Sequence, residues 1–325
     1  MASIKDVATK AGVGVGTVSR VINNNGYVSD ETRQKILQAM KELEYTPNEL
    51  ARNLYRKKNG IVAVLVPTLE HPFYSSFVNE VEKKLAEAGM KTMLCTTTKG
   101  KTEEIEYLDM LKRHVVDGII AGSTSLEVSE YEKIKNPIVA LDRYLGTDIP
   151  VVTANHVEGG KLAAQVLFDA GCRNVIQFVG EHTLEAPFNN RHTAFTDFMK
   201  KHGVGVTSIE LSNDDFSLSY YQNIADKILD DNFHADAVFG VDMIAGMFMR
   251  EAVRRGIRVP DDLKIVSYDG TYWTRIGEKR LTSIVQPIDL LAKGAVDRIV
   301  GLIDGNRFKN DLLMYDVSLT EGETI

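Results

Sequence analysis

The sequence predicts an α/β protein: a small all-α head with a hinge helix, followed by a two-lobed body of parallel sheets flanked by helices. Three observations predict it. Residues 4 to 23 read as two short helices broken at a glycine. From Gly60 onward, apolar runs of strand length alternate with amphipathic helical stretches, and this rhythm restarts after Asn155 as one lobe gives way to another. Alternation of that kind marks βαβ units around a parallel sheet. At 325 residues and 44% apolar, the chain has enough hydrophobic material for two or three cores.

In the head, Ala8 is small where two helices must touch, Gly12 suits the left-handed end of the first helix, and Val18 plugs the angle between them. Such a pair delivers its second helix to a DNA major groove, with Arg20 and Asn23 one turn apart on it. Residues 29–44 open at Ser29, a favourable N-cap, and carry Ile36, Met40 and Leu43 at helical spacing, which predicts a third helix. Pro47 disfavours helix at Thr46 and suits the first turn of a new segment, a short basic helix over 48–56. So short a helix does not persist alone in water. The predicted divisions are therefore a head over 1–46, a hinge and linker over 47–59, and a body over 60–325.

Charge agrees. Residues 1–60 hold ten Lys and Arg against six Asp and Glu, whereas the rest of the chain holds 28 against 39. A head of +4 on a body of −11 suits contact with phosphates by the head alone.

In the body, predicted strands at 61–66, 92–95 and 118–121 with helices at 75–88 and 102–113 build a first lobe. A second follows from strands at 175–179, 207–211, 237–239 and 263–268 with helices at 159–170, 191–201, 219–229 and 244–254. The last segments, strand 282–285, helix 288–303 and a strand over 314–318, are too few for a third lobe and must return across the other two. The first lobe is thus read as 60–155 plus 286–313, and the second as 156–285 plus 314–325. A cleft between them faces the strand ends, where ligands bind in such sheets. No leucine heptads follow Leu319, which argues against a coiled-coil tetramerisation tail.

Several function classes are excluded. No run of about 18 apolar residues is present to span a bilayer, and the polar N-terminal helix is no secretion signal, so a cytoplasmic protein is expected. Cys95 and Cys172 read as buried free thiols, and the 7 His lack ligand spacing, so no metal is expected. Gly12-Val-Gly-Val-Gly lacks the third glycine of a dinucleotide loop and follows a helix, and there is no phosphate loop or nucleophile elbow. No cofactor and no catalysis are expected.

Ala11-Gly-Val-x-x-x-Thr-Val-Ser-Arg-Val-Ile-Asn, then Val28-Ser-x-x-Thr-Arg, then Tyr45-x-Pro-Asn-x-x-Ala-Arg-x-Leu resemble the lactose-repressor (LacI/GalR) family of transcriptional regulators along the whole chain. Ile265-Val-Ser-Tyr-Asp-Gly-Thr and Leu281-Thr-Ser-Ile-Val-Gln-Pro look most like the sucrose operon repressors of Gram-positive bacteria within it. The resemblance implies a homodimer on a palindromic operator, repressing a carbohydrate-utilisation operon, with a periplasmic-binding-protein-like body. Val15, Gly16 and Arg20 then match base-contacting positions; Arg20 can grip a guanine in bidentate fashion and Val15 can pack on a thymine methyl. Gly16 departs from relatives in offering no side chain, and Gly14 replaces their usual serine N-cap. Ser3, Thr17, Ser19, Asn23 and Thr32 match phosphate contacts, which fix register without reading sequence. Asn48, Ala51 and Leu54 match the hinge, with Leu54 as the minor-groove wedge.

For the body the resemblance implies a sugar or phosphosugar effector between the lobes. Asp142 and Asp269 end strands and can each accept paired hydrogen bonds from vicinal hydroxyls. Arg191 matches the family arginine that donates to ligand oxygens, with Ala194 where relatives usually carry glycine. Phe216 matches a stacking aromatic, and Phe73 or Tyr74 lines the opposite lobe. Induction and co-repression both stay open, as does a phosphorylated carrier protein as coregulator. The competing class is a sugar-binding or sugar-modifying body with a helical dimerisation head, which turnover of candidate sugars distinguishes.

Overall fold

The computed structural model describes residues 2–23, 25–46, 58–97, 100–122, 124–180, 186–212, 215–230 and 234–325. They form two compact units, Met1–Gly60 and Ile61–Ile325. The hinge residues Asn48, Ala51 and Leu54 lie outside the described residues.

In the first unit, α1 (Ile4–Ala11) starts in a capping box. Ser3 Oγ accepts from the Asp6 amide, and Asp6 Oδ2 accepts from the Ser3 amide at 2.8 Å. The helix ends at Gly12, φ 65°, a left-handed conformation that glycine enters without a Cβ clash. α2 (Val15–Asn23) hangs from the Gly14 carbonyl, which accepts from the Thr17 and Val18 amides, and α3 (Asp30–Glu42) is capped by Ser29. Val7, Ala8, Val18, Val21, Ile36 and Ala39 fill the space between the three helices. So small a core leaves little surplus stability, and each member counts.

The second unit holds two six-stranded sheets. The first comprises β1 (Ile61–Val66), β2 (Lys91–Thr96), β3 (Gly118–Ala121), β4 (Ile138–Leu141), β5 (Val151–Ala154) and β11 (Leu312–Tyr315), in the order β11-β5-β4-β3-β1-β2 and wholly parallel. The second comprises β6 (Asn174–Val179), β7 (Gly205–Glu210), β8 (Ala237–Val241), β9 (Lys264–Asp269), β10 (Thr282–Val285) and β12 (Ser318–Thr320), in the order β12-β10-β9-β8-β6-β7, with β12 alone antiparallel. Helices cover both faces, as the near-continuous apolar strands demand. Around the first sheet they are α4 (Pro72–Glu87), α5 (Lys101–Lys112), the short α6 (Val128–Glu132) and α11 (Ile288–Ile303). Around the second they are α7 (His156–Asp169), α8 (Asn190–Lys201), α9 (Leu218–Asp230) and α10 (Asp242–Arg254).

The chain crosses between sheets at Asn155, at Gln286–Pro287 and at Asp316–Val317. The first and third crossings are tied together, because the Asn155 amide donates to the Tyr315 carbonyl and Asn155 Nδ2 to Asp316 Oδ1. The last crossing corrects the sequence reading. The predicted strand over 314–318 in the second lobe is two strands, and Met314 and Tyr315 pair with Thr153 and Ala154 in the first sheet. Only residues from Ser318 onward join the second, beside β10. Apolar residues stand on both sides of Asp316, so periodicity alone cannot show where the partner changes. β5 and α6 are further elements absent from that reading.

Candidate functional site

On α2, Val15, Gly16 and Arg20 are exposed side by side, Val15 at 41%. The opposite face, Val18 and Val21, is sealed in the core. Thr17, Ser19 and Asn23 are half-buried at its edges, and Asn23 Nδ2 donates to the Ser19 carbonyl and hydroxyl. Ser3 is the N-cap of α1, and Thr32, in the first turn of α3, bonds the Ser29 hydroxyl. Tyr27, on the turn after α2, is 91% exposed and was not singled out by the sequence reading. An aromatic hydroxyl held out from a small basic unit is a further candidate for a phosphate contact.

In the second unit a cavity of about 900 Å³ opens between the two sheets at the carboxyl ends of their strands. Phe73, Tyr74, Asp142, Arg191, Phe216 and Asp269 all line it. Asp142 follows β4 with φ 54°, and Asp269 closes β9 with φ 103°, followed by Gly270 at φ 68°. These left-handed turns bend each strand end sharply, and a Cβ on Gly270 would sit 2.6 Å from Val285. Phe73 is 6% exposed and stacks on Phe77 within the first core, so Tyr74 is the more open of the pair. His71 caps α4 by accepting from the Phe73 amide at Nδ1, and its ring meets Phe216 edge-on at 5.7 Å.

The charges are tightly arranged. Asp142 Oδ1 accepts from the Thr153 hydroxyl at 2.5 Å and lies 2.8 Å from His156 Nε2. Burial acts most strongly on this carboxyl, and upward; the His156 ring, the Thr153 hydroxyl and Arg191 together still hold it below the ordinary aspartate value. Arg191, at the start of α8, lays its guanidinium 4.6 Å from the Tyr268 ring centroid. Asp269 is pushed up to about 8 by burial and by the neighbouring Asp242 carboxylate, against the pull of Arg191. Asp242, pushed to about 6 by burial, accepts from Thr271 N–H and Oγ1 at 2.7 Å each and so pins the turn that carries Asp269. Among the described residues, no group of three His, Cys, Asp or Glu is placed to hold a metal ion.

Residues 3–48 match the family of bacterial regulatory proteins, lacI family, and residues 164–325 match the periplasmic binding protein-like domain. The chain is 36% identical to the sucrose operon repressor of Streptococcus mutans serotype c over 326 residues, covering all of both chains. The chain belongs to the LacI family of bacterial regulatory proteins. It is also 35% identical to the ribose operon repressor of Halalkalibacterium halodurans, over 89% of this chain and 86% of that one. A crystal structure of the lac repressor dimer bound to operator and the anti-inducer ONPF superimposes with a TM-score of 0.87 at 25% identity, covering 99% and 98% of the two chains. Membership of a family of DNA-binding regulators fits a chain with no catalytic motif.

Several residues of this LacI-family cleft escaped the sequence reading. His156, 2% exposed, bridges Asp142 and Tyr268, its Nδ1 lying 2.8 Å from the Tyr268 hydroxyl. Gln286 donates to Asp269 Oδ1 at 2.8 Å, and Arg143 donates to the Thr124 and Leu126 carbonyls. His156 and Gln286 sit at crossings between the sheets; for Gln286 its place directly after the predicted strand over 282–285 was the available signal, while the strand before His156 was absent from the sequence reading. Two glycines make room for the rest: a Cβ on Gly159 would stand 2.7 Å from the Tyr268 hydroxyl, and one on Gly160 only 2.1 Å from the Arg191 carbonyl oxygen.

Proposed function

We propose that this chain is a cytoplasmic, homodimeric repressor of a carbohydrate-utilisation operon, whose hold on a palindromic operator is set by a sugar bound between the two sheets. The observation that carries it is the meeting of Asp142 and Asp269, from strand ends of different sheets, with Arg191 in one cavity. Carboxylates and a guanidinium converging from two lobes suit a ring bearing hydroxyls on both edges, with Tyr74 and Phe216 against its faces. A ligand touching both sheets binds one lobe arrangement better than another, which is what control of a second site requires. Relatives named as sucrose and ribose operon repressors support the substrate class.

At the operator, α2 enters the major groove, Arg20 and Val15 read bases, and Ser3, Thr17, Ser19, Asn23 and Thr32 position the helix on phosphates. The assignment of Asn48, Ala51 and Leu54 to the hinge, with Leu54 as wedge, rests on sequence; Leu54→Ala that still bends and binds operator as the parent does refutes it. The reading as a whole is tested by titrating sugars into the complex of the chain with its operator. A sugar that shifts operator affinity by tenfold or so supports it, and invariance to every sugar refutes it.

A further inference from the structure

We infer that His156 and Tyr268 are positioning residues for the sugar: together they hold the Asp142 carboxylate of one lobe and the Arg191 guanidinium of the other in a fixed relation, without touching the ligand themselves. The inference rests on the sugar reading of this cavity. Asp142 and Arg191 line it, whereas His156 and Tyr268, 2% and 0% exposed, are not among its described lining residues. Two groups meet on one oxygen of Asp142. The Thr153 hydroxyl at 2.5 Å and His156 Nε2 at 2.8 Å both reach Oδ1, and the Asp142 amide donates to the Val152 carbonyl at 2.9 Å. The carboxylate is thus held at its backbone and at one oxygen. No described bond reaches Oδ2, which is the oxygen left to accept from a ligand hydroxyl.

The second link runs into the other lobe. His156 Nδ1 lies 2.8 Å from the Tyr268 hydroxyl, with the two rings 5.8 Å apart and 26° from parallel, and Arg191 stands 4.6 Å from the centroid of that same tyrosine ring. One turn of α7 serves the whole chain of contacts, because positions 156, 159 and 160 share a helix face at i, i+3 and i+4 spacing. His156 reaches Asp142 and Tyr268. Gly159 leaves room for the Tyr268 hydroxyl, which a Cβ there would meet at 2.7 Å, and Gly160 admits the Arg191 backbone, whose carbonyl oxygen a Cβ would meet at 2.1 Å. Both ring nitrogens of His156 are engaged, so the ring cannot turn without giving up a bond at one end. A side chain that only filled the space between α7 and its sheet would need neither.

The test is calorimetric titration of the full chain and its variants with D-fructose, D-glucose, D-ribose and sucrose. Tyr268→Phe removes the link to Tyr268 alone and is expected to weaken whichever sugar the parent binds by about fivefold. His156→Gln keeps an amide hydrogen for Asp142 but loses that same link, so it too is expected to lose about fivefold, and the two changes combined no more than about fivefold, against the roughly 25-fold of independent effects. His156→Ala breaks both links and is expected to lose about twentyfold. Tyr268→Phe and His156→Gln keep the buried volume and carry the test where thermal melting shows His156→Ala to be unfolded. A sugar bound by the parent and by all these variants alike overturns the inference while leaving the sugar reading intact, and so does a loss of about 25-fold in the combined variant. A panel in which no sugar binds the parent overturns the sugar reading and this inference with it.

Discussion

His156 Nε2 lies 2.8 Å from Asp142 Oδ1, so the first residue of α7 in one lobe is bonded to the strand end of the other. On its far side Nδ1 lies 2.8 Å from the hydroxyl of Tyr268, the residue on which Arg191 rests. The roles of the ring nitrogens follow from the neighbours. Asp142 is held ionised and accepts, while burial raises Tyr268 far above the ordinary tyrosine value and keeps its proton for donation. The bond between His156 and Asp142 therefore runs from Nε2–H to the carboxylate.

Replacing His156 separates its two bonds. His156→Gln can still reach Asp142 with an amide hydrogen and is expected to cost about 1 kcal/mol, whereas His156→Ala strands a buried carboxylate and should cost about 3 kcal/mol. Urea unfolding of the two variants gives the comparison. Equal losses would show that the bond to Asp142 carries no weight.

Gly160→Ala tests how Arg191 is placed. Its Cβ would meet the Arg191 carbonyl oxygen at 2.1 Å, so α7 and α8 must part, at about 1–3 kcal/mol and with loss of sugar affinity. Gly171→Ala is the contrast: φ is +83° there but nothing lies within 4 Å, so it should cost about 1 kcal/mol and leave the cavity unaltered. Sugar binding equally impaired in both would sink the placement argument.

The Asp269 carboxyl makes stability depend on pH in a stated direction. Its folded value of about 8 stands above the ordinary 3.8, so the folded state holds a proton that the unfolded state releases. That contribution is full below the unfolded value and is lost as pH rises through about 8; Asp242, at about 6, acts with the same sign. Asp269→Asn removes one source of the loss. Its melting temperature should therefore fall less between pH 6 and pH 9 than that of the parent, and parallel slopes would contradict the assignment.

Arg20→Ala is expected to cost about 1–3 kcal/mol on the cognate operator and to relax preference at one base pair in each half-site. Thr32→Ala should instead weaken all sequences alike and lower the salt dependence little, since its hydroxyl carries no charge. Binding measured on a set of single-base operator variants separates the two behaviours.

Local signals made much of this legible in advance. The break at Gly12, the buried Val18 and the cap at Ser29 each act within a few residues, and strand-end positions such as Asp142 and Asp269 follow from the alternation of apolar runs. His156 was not legible because its partners, Tyr268 at 112 residues' distance and Asp142 of the other lobe, meet it only where the chain changes sheets, while Gln286 reaches Asp269, 17 residues away, through the pairing of β9 with β10. The misplaced strand over 314–318 has the same cause. Apolar residues lie on both sides of the crossing at Asp316, and which sheet each side joins is decided by pairing with Val151–Ala154 and with β10.

The central claim is conditional DNA binding, and reciprocity tests it most directly. Operator affinity of the full chain is measured with and without a saturating sugar, and affinity for that sugar with and without saturating operator. The account predicts that both change by the same factor, about tenfold or more, and in the same direction. A sugar that binds the cavity while operator affinity stays constant would contradict it.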